Sequence, residues 1–152
     1  MGCDIHCFVE KKIDGAWVNQ QPTEPSEVWD NESQTYVDGP LVPKQTHIWR
    51  NYTLFGALAN VRREYPGLSK DPRGIPDDVS AEIQQEYSAM EGDAHSASYA
   101  TLEELELLTL ASVLHSEATE HGVPGSLRDF IKDIFPENAE PDAYRVVFWF
   151  DN

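Results

Sequence analysis

Two short motifs in the sequence combine a carboxylate with an imidazole, Asp4 with His6 and Asp93 with His95. Carboxylate oxygens and imidazole nitrogens suit Zn²⁺, Mn²⁺ or Fe²⁺, and two converging Asp-x-His pairs would supply four ligands. Asp151 is expected as a fifth ligand or as a hydrogen-bond partner that orients a histidine. A divalent transition metal held there would make bound water a nucleophile, with Asp93 and His95 as the catalytic residues. The alternative is that each carboxylate only fixes the tautomer of its histidine.

A second set of polar residues is suited to an anionic ligand. Arg50 and Asn51 precede the first turn of an expected helix, where free N–H groups and the helix dipole favour anions. Arg62 or Arg63, at the other end of that helix, could hold a phosphate, and Tyr52 or Tyr99 could stack on a base. The expected ligand-binding residues are therefore Arg50, Asn51, Tyr52, Arg62, Ser96, Ser98 and Tyr99.

The sequence disfavours a serine hydrolase. Ser96 directly follows His95, and neighbours in sequence make a poor nucleophile–base pair. The two serines of this segment are better suited to donate hydrogen bonds to a ligand. The other histidines, His47, His115 and His121, are expected at the surface or at helix ends.

The net charge of −16 is unevenly distributed. Residues 44–73 hold six basic and two acidic side chains, a local charge of +4, and the remaining five basic and 25 acidic side chains give −20. An acidic exterior argues against nucleic-acid binding, which depends on phosphate neutralisation. The basic island favours one small anionic, nucleotide-like ligand. The alternative is that Arg62 and Arg63 only complement the dipole in the last turn of a helix.

Both ends of the chain have the character of β-strands. Residues 1–10 and 144–152 are apolar with interspersed polar groups, and the two are expected to pair in one sheet. Asp14-Gly15 predicts a hairpin after the first strand. Residues 19–46 are expected to form a long, mobile loop, with room for a short hairpin, and residues 92–99 a small-residue loop.

Helical signals occupy the middle of the chain. Residues 47–63 are predicted as a helix with Asn51 or Thr53 as cap, and 81–90 as a shorter one. A capping box at residues 101–104 opens a helix that reaches about His115, and Ser126 is expected to cap a last helix over 127–135. The fold class is therefore α+β: a small mixed or antiparallel sheet with both terminal strands, and three or four helices packed against it.

Length and composition indicate one domain over residues 1–152, located in the cytoplasm. No stretch approaches the roughly 18 apolar residues of a membrane span, and the N-terminus does not resemble a signal peptide. Cys3 and Cys7 would lie about 13 Å apart on a strand, too far for a disulfide. Exposure of Trp29, Trp49 or Trp149 would indicate a homo-oligomer.

Five sequence blocks resemble a family of small bacteriophage proteins. They are Met-Gly-Cys-Asp-Ile-His at the start, Arg-Asn-Tyr-x-Leu-Phe-x-x-Leu-Ala-x-Val-Arg, Gly-Ile-Pro-Asp-Asp-Val-Ser, Asp-x-His-Ser-x-Ser-Tyr-x-Thr-Leu-x-Glu-Leu, and Val-Phe-Trp-Phe-Asp-Asn at the end. The resemblance implies an accessory protein that acts in an infected bacterial host, where it would counter a nucleotide-based defence signal.

Three functions follow as hypotheses. The first is metal-assisted hydrolysis of a small nucleotide-type signal at a phosphodiester or related bond. The second is a non-catalytic binder that sequesters the same kind of ligand. The third, a more remote one, is an acidic DNA mimic, which accounts for the net charge but gives no role to the basic island.

Overall fold

The structure, a computed structural model, describes residues 2–90, 92–115 and 122–152. Within these ranges the chain forms six strands and four helices. In chain order they are β1 (Asp4–Ile13), β2 (Ala16–Asn19), β3 (Thr23–Asp30), β4 (Thr35–Pro43), α1 (Tyr52–Ala59), α2 (Ala81–Ala89), β5 (His95–Thr101), α3 (Leu102–Leu114), α4 (Val123–Ile134) and β6 (Tyr144–Asp151). The predicted α+β class is confirmed. His121 lies outside the described residues.

The central sheet is antiparallel and has the strand order β2-β1-β6-β5. The two terminal strands are therefore neighbours, as predicted, and their register begins with Asp4 opposite Asp151. The turn between β1 and β2 contains Asp14 and Gly15 with φ of 52° and 81°. These left-handed conformations are the ones that a two-residue hairpin turn requires.

Both faces of the central sheet are covered. The larger core, shared with α1, α3 and α4, contains Ile5, Cys7 and Val9 of β1 and Cys3 just before this strand. On the other face, Phe8 and the fully buried Trp149 pack with Ile83 of α2. Both cysteines are free and buried, as predicted.

Local capping sets the bounds of α1 and α3. The Asn51 side chain accepts a hydrogen bond from the N–H of Leu54, and Asn60 ends α1 in the left-handed conformation with φ of 57°. This helix is shorter than the predicted 47–63. The predicted capping box is present, since Thr101 and Glu104 cap α3 reciprocally.

The last helix begins earlier than predicted. It begins at Val123 rather than Leu127, with Pro124 in its first turn, where the missing N–H of proline costs nothing. Ser126 therefore lies inside α4 and is not its cap. No helix in the ranges described is long and apolar enough to cross a membrane.

Two segments predicted as loops are mostly strands. Residues 19–46 contain β3 and β4, which form a separate two-stranded sheet and extend the predicted short hairpin. Trp29 and Tyr36 pair across this hairpin with ring centroids 5.2 Å apart. Residues 95–99 belong to β5, which pairs with β6 at His95, Ser98 and Tyr99 and has a bulge between His95 and Ser98.

Candidate functional site

Polar side chains meet where β1 begins and β6 ends. The Nε2 atom of His6 lies 2.9 Å from Oδ2 of Asp151, and its Nδ1 atom lies 2.6 Å from Oε1 of Gln45. The ring also stacks on Trp149, with centroids 6.2 Å apart. His6 is therefore held on three sides, and Asp151 is its partner, which is one of the two roles predicted for this carboxylate.

Asp4 is paired with Arg50 rather than with a histidine. Nε and Nη2 of Arg50 donate to the two carboxylate oxygens at 2.7 and 3.0 Å. The hydrogen bonds from Arg50 hold the pKa of Asp4 below its ordinary value. A methyl group added at Gly2 would collide with the Arg50 guanidinium, so the backbone itself packs against this pair.

The two Asp-x-His pairs do not converge. His6 lies opposite Trp149 and His95 opposite Phe150. Because cross-strand partners share a face and successive residues of β6 alternate, the two histidines lie on opposite faces of the sheet. Asp93 precedes β5 and is exposed. Among the described residues, no group of three or more His, Cys, Asp or Glu side chains is placed to hold a metal ion.

His95 instead connects Ser96 with the end of the chain. Its Nδ1 atom lies 3.0 Å from the Ser96 hydroxyl oxygen and its Nε2 atom 3.3 Å from Oδ1 of Asn152. Ser96 has φ of 54°, and this left-handed backbone brings the neighbouring side chains together. Nη2 of Arg62 donates to the same Asn152 oxygen at 3.2 Å. Sequence reasoning missed Asn152, whose only signal is its position after Asp151.

Arg62 lies over the edge of the larger core. Its guanidinium lies 5.8 Å from the ring centre of Tyr52, and the Tyr52 hydroxyl accepts a hydrogen bond from the backbone N–H of Cys3 at 3.3 Å. Burial raises the pKa of the Cys3 thiol, although a hydrogen bond with Arg62 acts in the opposite direction. Arg62 and Tyr52 therefore support the structure at this end of the sheet.

Three of the predicted ligand residues line a cleft between the N-terminus of α1 and the side of α4, here called the α1–α4 cleft. Its volume is about 470 Å³. Predicted residues in its lining are Arg50, Asn51 and Tyr52. Besides capping α1, Asn51 donates from Nδ2 to the Ser126 hydroxyl at 3.0 Å, which ties α1 to α4.

The α1–α4 cleft also contains Arg63, one of the arginines expected to hold a phosphate, and three residues that were not predicted as ligand residues: Trp49, Asp129 and Asp133. Trp49 is 80% exposed, and its ring packs edge-on against His47 with centroids 4.7 Å apart. Asp129 and Asp133 are four residues apart on α4, so both face the cleft. The spacing of four residues can be read from the sequence. Which side of α4 faces α1 is set by tertiary packing and cannot be read in the same way.

Ser98 and Tyr99 lie at a different place. They line a cavity of about 250 Å³ together with Lys70, Arg73 and the apolar side chains of α1 and α3. The Ser98 hydroxyl accepts a hydrogen bond from the backbone N–H of Arg73 at 3.1 Å, and the Arg73 guanidinium lies 4.0 Å from the ring centre of Tyr99. The predicted ligand residues are thus divided among the α1–α4 cleft, the sheet end and this cavity.

Each place has a different chemical capacity. The sheet end holds two histidines in separate hydrogen-bond networks, and the cavity beside Arg73 has an apolar floor. The α1–α4 cleft combines a helix N-terminus, guanidinium groups, carboxylates and an exposed indole.

Comparison of the chain with protein-family models, with curated proteins and with solved structures finds no match.

Proposed function

We propose that the protein binds a small nucleotide-type ligand in the α1–α4 cleft and sequesters it without cleaving it. The observation that carries the proposal is the placement of the exposed Trp49 ring beside Arg63 and the N-terminus of α1. Small-molecule sites have volumes of roughly 300–1,000 Å³, and this cleft lies within that range. The resemblance to bacteriophage proteins supports a nucleotide signal of the infected host as the ligand.

The phosphate would bind at the N-terminus of α1. The first turn of this helix contains no acidic side chain, and the Asn51 side chain caps the Leu54 N–H, so the N–H groups of Tyr52 and Thr53 are the ones that would meet an anion. Arg50 lines the cleft while its Nε and Nη2 atoms donate to Asp4 and its Nη1 atom packs against Gly2. Arg63 uses Nη1 for the Thr53 hydroxyl at 3.2 Å, which fixes its guanidinium beside the same helix end.

The rest of a nucleotide would complement the other walls. A base stacked on Trp49 would gain about 1–3 kcal/mol and cover a ring that is otherwise in water. The carboxylates of Asp129 and Asp133 would accept hydrogen bonds from ribose hydroxyls. A ligand with phosphate alone would meet these two carboxylates as like charges, so the cleft favours a nucleoside phosphate over inorganic phosphate.

Metal-assisted hydrolysis is the competing proposal. It requires the Asp-x-His residues beside the ligand, but Asp4, His6 and His95 lie outside the lining of the α1–α4 cleft. Sequestration requires none of them. It therefore follows more directly from the arrangement of the described residues.

Isothermal titration calorimetry with ADP-ribose and with a cyclic dinucleotide as probes tests the proposal. Trp49→Ala is expected to weaken binding about tenfold or more, which is about 1.4 kcal/mol of lost stacking. Trp29→Ala, which removes the partly exposed indole of the β3–β4 hairpin, is the matched control and should bind as the wild type does. Equal binding by both variants would place the ligand elsewhere.

Recovery of the bound probe separates sequestration from hydrolysis. After incubation with excess protein and Mn²⁺ or Zn²⁺, the probe should be released intact on denaturation. Its mass is measured by liquid chromatography and mass spectrometry. A cleaved probe, with cleavage abolished by His95→Ala, would reject sequestration in favour of the hydrolase.

A further inference from the structure

We propose that the outer face of α3 packs against the same face of a second copy of this chain. α3 is apolar on two opposite sides. Its buried side contains Leu102, Leu105 and Leu108. Its outer side presents Leu107, Leu110 and Leu114 with exposed fractions of 59, 62 and 86%.

The spacing of the outer leucines makes them one continuous stripe. Residues 107, 110 and 114 are separated by three and four positions, so they lie on one helix face. At about 100° per residue, this face is opposite to the side that packs on the sheet. An apolar helix face is normally buried, whereas only one of the two apolar faces of α3 is buried by the described residues.

Within the described residues, no apolar side chain covers the stripe. Leu107, Leu110 and Leu114 all remain exposed there. The cover is therefore expected from a second molecule.

Charge complementarity selects a second copy of the same chain. A groove of about 460 Å³ runs beside Leu110, between α3 and α4, and Arg128 and Lys132 of α4 flank it. The opposite wall of the same groove is α3, where Glu106 lies beside Leu110, so the groove has one acidic and one cationic side. One molecule thus presents both halves of a self-complementary patch, which a two-fold dimer requires.

This surface is separate from the proposed ligand site. Asp129 and Asp133 line the α1–α4 cleft. Arg128 and Lys132, which flank the groove, each precede one of these two aspartates by one position. One position is about 100° around a helix, so the cleft and the groove lie on different sides of α4. The dimer does not depend on the proposed function.

The test is the mass of the full chain in solution, measured by sedimentation equilibrium. The wild type is expected at twice 17.2 kDa. Leu110→Glu combined with Leu114→Glu should give a monomer with an unchanged circular dichroism spectrum, because both side chains are exposed in the protomer. Arg128→Glu should weaken the dimer about tenfold by placing like charges across the contact.

Leu41→Glu is the matched control. Leu41 is 67% exposed on the β3–β4 hairpin, so its substitution adds the charge of one of the two α3 substitutions at an exposed leucine away from α3. This variant should remain a dimer. A monomeric wild type would overturn the proposal, as would a dimer that survives the α3 substitutions or that only Leu41→Glu disrupts.

Discussion

Arg50 donates to both carboxylate oxygens of Asp4, from Nε at 2.7 Å and from Nη2 at 3.0 Å. The pair joins the first residue of β1 to the segment before α1, at the rim of the α1–α4 cleft. A two-pronged contact of this kind fixes the plane of the guanidinium, which a lysine could not do. The orientation of Arg50 in the cleft therefore depends on the charge of Asp4.

Removal of the guanidinium should raise the pKa of Asp4. The hydrogen bonds from Arg50 lower this pKa from its ordinary value of 3.8, so Arg50→Ala should return it toward that value. Because the folded pKa lies below the unfolded one, the pair contributes stability above the ordinary carboxyl range. That contribution is lost as the pH falls through the folded pKa. The measurement is an NMR titration of the side-chain carboxyl carbons.

Asp30 provides the internal control for that titration. Its pKa is also lowered, but by hydrogen bonds from Ser33 and Glu32 within the β3–β4 hairpin. Arg50→Ala should leave the Asp30 titration unchanged. If Asp4 titrates identically in the variant and the wild type, the pair does not persist in solution.

Removal of one partner should cost more stability in a buried ion pair than in an exposed one. Nε of Arg145 donates to Oε1 of Glu10 at 2.7 Å, and Glu10 is fully buried. Its other carboxylate oxygen accepts a hydrogen bond from the Ser80 N–H at 2.7 Å. Arg145→Met would leave the Glu10 charge unpaired, so we expect the free energy of unfolding to fall by about 3–5 kcal/mol.

Urea denaturation of two arginine variants measures this difference. Arg73→Met removes the half-exposed partner of Glu104, whose oxygen lies 3.0 Å away, and should cost about 1 kcal/mol or less. Equal losses in Arg145→Met and Arg73→Met would show that burial does not set the cost of removing one partner.

Local signals were sufficient to predict several elements. The alternation at both chain ends predicted β1 and β6, and the Thr101 capping box predicted the start of α3. The faces of His6 and His95 were not predictable, because the β5 register includes a bulge between His95 and Ser98. A shift of one residue moves a side chain to the other face of a sheet.

The β3–β4 hairpin and the α1–α4 cleft depend on contacts between distant residues. Pro25, Gly39 and Pro40 interrupt the local strand pattern, whereas the pairing of Trp29 with Tyr36 exists only after the hairpin closes. In the cleft, Asn51 bonds Ser126, which is 75 residues away in sequence. The single site predicted from sequence is divided in the structure because sheet register and helix packing place its residues at three locations.

Gly56 should be essential for the packing of α1 against the segment that follows it. A Cβ at this position would lie 2.7 Å from the Arg63 carbonyl oxygen and 2.8 Å from the Arg63 Cβ. Asn60 and Arg62, with φ of 57° and 66°, turn the chain back onto the helix at that point. Because backbone must move, Gly56→Ala should lower the free energy of unfolding by about 1–3 kcal/mol, despite the higher helix propensity of alanine.

Gly92→Ala is the matched control, since a Cβ there has nothing within 4 Å in the described structure. Urea denaturation should show a change within about 0.5 kcal/mol for this variant. Gly56→Ala should also weaken nucleotide binding, because displacement of Arg63 moves its guanidinium from the N-terminus of α1. Wild-type stability in Gly56→Ala would show that the chain after α1 does not pack on the helix as closely as described.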